Sequence, residues 1–209
     1  MAMHTKSGRS FLGGPEKYLV KRFTKYVPLE TYHLTLLTLV WSALVLVAGY
    51  LAQKNIDWLW LTVAAIVLQY ITDLFDGAVG RYRKTGLVKW GFYMDHYLDY
   101  VFLACFVASF GFLLPNIHML ALTVILAAGF MISTFLDFGA TQEFSIYHFG
   151  FGPTEIRIVF IAATILVWWK GAVLLAQVLP WFNLFMAVLL VSLVYRTQKQ
   201  LWKQDMRNR

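Results

Sequence analysis

Four aspartates set at helical intervals are the residues of this chain best suited to chemistry. Asp73 and Asp76 are three apart and Asp95 and Asp99 four apart, so each pair shares one face of a helix. Gly77, Gly80 and Arg81 follow the first pair, and Gly91 precedes the second. A single carboxylate near a helix end is ordinarily just solvated. Four inside otherwise apolar segments are different, because each ionised group costs about 2.5–3.5 kcal/mol at the centre of a membrane helix, and less near an end. Mutual repulsion adds to that cost unless cations neutralise it. Clustered hard oxygen donors suit Mg²⁺, Mn²⁺ or Ca²⁺, and four carboxylates are enough to share between two ions. Gly77 leaves the backbone open to a phosphate or ribose. Arg81, one helical turn later, offers a bidentate fork to phosphate. Gly80 suits either that close approach or helix packing.

These residues need apolar helices to hold them. The chain has 209 residues, of which 59% are hydrophobic and 14% charged, with a mean hydropathy of +0.61. Such a composition is too apolar for an ordinary soluble domain and indicates a membrane protein. Six apolar segments are expected, running approximately 33–53, 58–79, 91–114, 118–138, 154–169 and 181–195. The stretch from Lys170 to Pro180 is open to extending the fifth, and the sixth to continuing into the basic tail. The second segment ends with Asp73 and Asp76, and the third begins with Asp95 and Asp99. A short basic link joins them. This predicts two antiparallel neighbouring helices whose carboxylates face each other at one membrane depth.

The ends of the chain are basic. Residues 1–31 read as a cytoplasmic basic segment, residues 32–200 as a six-helix transmembrane domain and residues 201–209 as a basic cytoplasmic tail. From Glu16 to Val27 the pattern is amphipathic, with Leu19, Phe23, Tyr26 and Val27 on one stripe and Lys17, Lys21, Arg22 and Lys25 mostly off it, as in a helix lying in the membrane interface. Of the 18 Lys and Arg, only Lys54 and Lys170 fall on the other side of a six-span arrangement, so 18 − 2 = 16 share the side of both termini. The positive-inside rule makes that side cytoplasmic and puts the aspartates in the cytoplasmic half. The net charge of +7 fits loops lying against anionic lipid rather than nucleic acid. The lone Cys105 excludes an internal disulfide.

The pattern Asp73-x2-Asp76-Gly77-x2-Gly80-Arg81-x9-Gly91-x3-Asp95-x3-Asp99 resembles the signature of the CDP-alcohol phosphotransferase (phosphatidyltransferase) family. Gly80 stands where that signature usually has Ala, so a small residue is kept. The resemblance implies an all-α integral membrane enzyme of six transmembrane helices, here with an N-terminal amphipathic interfacial helix, and often a homodimer. It implies transfer of a phospho-alcohol group from a CDP-linked donor to an acceptor hydroxyl with release of CMP. It further implies Asp73, Asp76 and Asp95 as ligands of two Mg²⁺ or Mn²⁺ ions, Asp99 at the second ion and as general base, and Asp73, Gly77, Gly80 and Arg81 at the CDP donor. Gly91 resembles the signature's packing glycine. The short chain is similar to the branch that uses CDP-diacylglycerol and a polar alcohol. Asp95-His96-x-x-Asp99 and the Thr154-Glu155 pair look similar to the choline/ethanolamine branch, in which a CDP-aminoalcohol meets diacylglycerol.

Other residues are open between two roles. Thr154 suits the cap of the fifth helix and Glu155 its positive end. Alternatively, Glu155 and Arg157 contact the acceptor or another substrate group. His33 and Thr35 suit interface anchoring or the nucleotide. His96 points about 100° away from Asp95 around an ideal helix and is not counted as a ligand. A membrane divalent-cation transporter also places carboxylates between helices, but does not require Gly77, Gly80 and Arg81 beside them.

Overall fold

A computed structural model of the chain describes residues 13–145, 147 and 152–207, together with the backbone of 4–5. The expectations for Lys6, Arg9 and most of residues 146–151 lie outside these. Among the described residues there are seven α-helices: α1 (Gly13–Phe23), α2 (Thr31–Ala52), α3 (Leu59–Arg83), α4 (Val88–Ser109), α5 (His118–Thr141), α6 (Pro153–Lys170) and α7 (Ala172–Arg207). A two-residue parallel pairing joins β1 (His4–Thr5) to β2 (Glu143–Phe144).

Among the described residues, four helices are long and apolar enough to cross a membrane: α2, α3 with its preceding turn, α5 and α7. This is fewer than the six spans expected. The reason is chemical, since α4 carries Lys89, Asp95 and Asp99, and α6 carries Glu155, Arg157 and Lys170. Both helices hold the charged groups of the candidate site. Helix α7 has 36 residues, or about 54 Å at 1.5 Å per residue. That exceeds a hydrocarbon core of about 30 Å, so the helix runs on through the basic tail.

The boundary between the last two helices differs from the sequence expectation. Gly171 adopts φ 81° and stops α6, so residues 172–180 begin α7 instead of extending the fifth helix. Pro180 lies inside α7. Glycine reaches the left-handed region without steric cost, whereas a proline can stay in a membrane helix when its neighbours satisfy the freed carbonyl.

Helix α2 is the central element. It packs along both α3 and α4, while α3 packs also on α6, and α5 on α7. Helices α3 and α4 are not themselves closely packed. The expected direct neighbours therefore flank α2, and their carboxylates meet across the space left between them. The core is built at these seams from Val45, Ala65, Ile66, Phe102 and Phe106. Helix α2 packs tightly against the end of α4 at Gly49, where an added Cβ would lie 2.5 Å from the Ser109 carbonyl oxygen.

The link of residues 84–87 brings the end of α3 next to the start of α4. Asp73 lies ten residues from the end of α3 and Asp99 eleven from the start of α4, depths of about 15 Å and 16 Å. The antiparallel turn thus brings the motif carboxylates to similar levels.

Because the obstruction at Gly49 is backbone, Gly49→Ala is expected to force α2 from α4 and destabilise the fold by about 1–3 kcal/mol. Thermal unfolding in detergent checks this through a lowered midpoint.

Candidate active site

Helix α3 presents Gln69, Asp73 and Asp76 at spacings of four and three, one face of a helix. Helix α6 faces it with Arg157, which is 8% exposed. The Arg157 Nη2 donates to Asp73 Oδ2 at 2.7 Å and lies 3.5 Å from Asp99 Oδ1. Its Nε donates to Gln69 Oε1 at 2.7 Å. Gln69 Nε2 in turn donates to Asp99 Oδ1 at 3.1 Å. One buried guanidinium and one buried amide therefore join α3, α4 and α6.

Asp76 is served from the other side. Thr31 Oγ1 donates to its Oδ1, and Thr35 Oγ1 donates to Oδ2 at 2.7 Å. Both threonines come from the first turns of α2, whose start is fixed by a reciprocal Glu30–His33 cap. His33 thus serves the helix start, whereas Thr35 reaches a motif carboxylate. Asp95 is in hydrogen-bonding contact with Asp73 and within electrostatic range of Asp99 and Asp76. The four aspartates are thereby gathered around Asp73.

The glycines divide in their roles. A Cβ on Gly77 would lie 3.1 Å from Arg81 Nη1, so the arginine folds back over the bare backbone of the preceding turn. Arg81 remains exposed and within electrostatic range of Asp76. A Cβ on Gly80 would lie 3.1 Å from Thr31 Oγ1, the hydroxyl that holds Asp76. Gly80 sits at a helix contact. Gly91, expected to pack, has nothing within 4 Å of a Cβ built on it.

Around this centre lies a second set of contacts. Tyr70 and Thr154 both donate to Glu16 Oε1 on α1, at 2.8 and 2.9 Å. The Arg157 guanidinium carbon lies 5.8 Å from the centre of the Tyr70 ring. Thr154 thus reaches α1, while Glu155 accepts the Gly152 N–H at 2.9 Å and caps α6. Asp95 and His96 approach to 3.8 Å, and His96 Nδ1 pairs with the Phe92 carbonyl at 2.7 Å among the rings of Phe92, Phe135 and Phe144. Gln69, Tyr70, Thr31 and Glu16 were not singled out from sequence as site residues. For Gln69 the signal was present, a polar residue four before Asp73 in an apolar segment.

A sequence model of the CDP-alcohol phosphatidyltransferase family matches residues 32–190. The chain belongs to that family. No curated protein and no solved structure matches it at a significant level. Membership of the CDP-alcohol phosphatidyltransferases, with the apolar helices, makes the chain an integral membrane transferase of phospholipid biosynthesis that acts on a CDP-alcohol donor and an alcohol acceptor.

The family generally uses divalent cations. Among the described residues, no three His, Cys, Asp or Glu side chains stand in a metal-holding arrangement. The donor set nonetheless fits such ions. Its four carboxylates are hard oxygen ligands, and their mutual repulsion favours a cation among them. Arg157 supplies part of that positive charge.

Removing Arg157 would leave Asp73 and Asp99 without this partner. Arg157→Gln is expected to destabilise the protein by about 2–3 kcal/mol, a modest value for a buried pair because the Asp73 and Asp99 side chains are 23% and 32% exposed. Millimolar Mg²⁺ is expected to raise the unfolding temperature of this variant more than that of wild type, in a thermal melt with and without EDTA.

Proposed function

We propose that this enzyme transfers a phosphatidyl group from CDP-diacylglycerol to the hydroxyl of a polar alcohol and releases CMP. The observation that best supports this reading is the gathering of all four signature carboxylates about Asp73, in a chain of this family. CDP-diacylglycerol with a polar alcohol is the substrate pair of one branch of the family. The sequence Asp95-His96-x-x-Asp99 favours a second reading, transfer from a CDP-aminoalcohol to diacylglycerol.

In the reaction, the acceptor oxygen bonds to the phosphorus that bears the alcohol, and the bond from that phosphorus to the CMP oxygen breaks. Asp99 takes the acceptor proton. Its strength as a base matters less than its placement within hydrogen-bond reach of the hydroxyl. Arg81, folded over the Gly77 backbone, holds a donor phosphate with its guanidinium fork. Two Mg²⁺ or Mn²⁺ ions, held by Asp73, Asp76, Asp95 and Asp99, would neutralise the diphosphate and the departing CMP. Glu155 acts as the cap of α6, and Arg157 orders the carboxylates from which it also reaches the anionic substrate.

The charge distribution supports six spans, with α4 and α6 completing the set, and both termini and the site on the cytoplasmic side. Tyr18, Leu19, Phe23 and Tyr26 are exposed beside Lys17, Lys21, Arg22 and Lys25, which supports α1 as an interfacial helix. Family resemblance supports a homodimer.

CMP release is the direct test, comparing CDP-diacylglycerol with CDP-choline and CDP-ethanolamine across a panel of acceptors. Release from CDP-diacylglycerol with a polar alcohol is expected. Release only from a CDP-aminoalcohol with diacylglycerol would establish the second reading. EDTA is expected to stop turnover and Mg²⁺ or Mn²⁺ to restore it; full activity in chelator would remove the metal from the reaction. Asp99→Asn is expected to lower kcat by about 10²–10⁴-fold in a protein that still purifies folded, and near-normal kcat would remove Asp99 as base. Arg81→Ala is expected to weaken donor binding, read as a raised KM for the CDP-alcohol.

A further inference from the structure

We propose that Gln69 is a positioning residue for the transfer reaction, fixing the orientation of Asp99 through a hydrogen bond whose direction Arg157 dictates. The inference rests on the assignment of Asp99 as the base and goes beyond the signature, in which Gln69 has no place.

Gln69 is 1% exposed and lies on α3 among apolar neighbours. An unpaired amide there would be strongly disfavoured, and both of its ends are occupied. The Oε1 accepts from Arg157 Nε at 2.7 Å, and Nε2 donates to Asp99 Oδ1 at 3.1 Å. The amide cannot be reversed without loss. Arginine has only donors and an ionised carboxylate only acceptors, so a flipped amide would face Arg157 with N–H and Asp99 with a carbonyl. The buried guanidinium therefore selects the orientation in which Gln69 donates to Asp99.

This leaves a division of labour on the Asp99 carboxylate. Oδ1 faces Gln69 and, 3.5 Å away, Arg157 Nη2. Oδ2 is the oxygen left to face the acceptor hydroxyl and the ion that Asp99 would share. Without the amide, the carboxylate is free to turn about its last bond, and misplacement of about 1 Å at a reacting group costs on the order of 100-fold in rate.

Two substitutions separate this role from a structural one. Gln69→Met keeps the bulk and removes both hydrogen bonds. Gln69→Glu keeps an acceptor for Arg157 but turns a repelling oxygen toward Asp99. Steady-state CMP release is measured for both, with folding checked by gel filtration and thermal melting in detergent. Both variants are expected to lose about 10–100-fold in kcat while the KM for the CDP donor stays within about threefold. Wild-type kcat in Gln69→Glu would overturn the proposal, leaving Gln69 as a tether for Arg157 alone. A raised KM with unchanged kcat in either variant would also overturn it. Should Gln69→Met fail to fold, Gln69→Glu decides by the same split.

A second measurement does not depend on turnover. The infrared carboxylate band of Asp99, assigned by its absence in Asp99→Asn, is expected to move in Gln69→Met. An unmoved band would overturn the proposal even in an active enzyme. Absence of CMP release from wild type with every donor would instead defeat the transferase reading, with the band still reporting whether Gln69 holds Asp99.

Discussion

The ion pair between Arg157 and the motif carboxylates is the contact on which the rest of the structure depends. Four aspartates in helices meant for an apolar environment repel one another, and low dielectric magnifies the repulsion. A guanidinium buried against Asp73 and close to Asp99 offsets part of it. It joins the start of α6 to α3, and the Trp60–Trp168 ring contact joins the same two helices farther along. Arg157 can be buried because Gln69, Asp73 and the Tyr70 ring meet it on several sides.

The same pairing rule extends outward to α1. Glu16 brings a carboxylate to the bundle, and the hydroxyls of Tyr70 and Thr154 satisfy one of its oxygens. Helix α1 is thereby attached to α3 and α6, the two helices joined by Arg157. Its face toward the protein runs Glu16, Val20 and Thr24, a stripe distinct from the exposed Leu19, Phe23 and Tyr26. The helix can thus dock on the bundle and still present an apolar face outward. Any displacement of α1 acts on Tyr70, next to the guanidinium that orders Asp73 and Asp99.

How much of this was legible in the sequence follows from the range of each interaction. The Asp, Gly and Arg spacings are local, and helix periodicity alone converts them into faces. Apolar runs likewise located α2 to α6 to within about five residues, whereas α7 begins nine residues before the segment expected at 181–195 and runs twelve beyond it. The insertion of α2 between α3 and α4 was not legible, because apolar faces do not name their partners. Nor were the matches of Gln69 with Arg157, 88 residues apart, and Glu16 with Thr154, 138 apart. The break before α7 turned on backbone conformation. Pro180 is the stronger helix breaker by propensity, yet the chain breaks at Gly171, where a positive φ is required.

Gly80 connects these scales in one position. As sequence it is a small departure from the signature's usual alanine. In the fold it is where α2 approaches α3, with room for the Thr31 hydroxyl but little more. That hydroxyl and Thr35 give Asp76 two donors from α2, so the carboxylate is oriented by the helix that also separates α3 from α4. The missing methyl therefore does more than permit packing. It lets the Thr31 hydroxyl of α2 sit against α3 and serve a carboxylate there while leaving the space between α3 and α4 to the other acids, which couples the α2–α3 seam to the geometry of the polar centre.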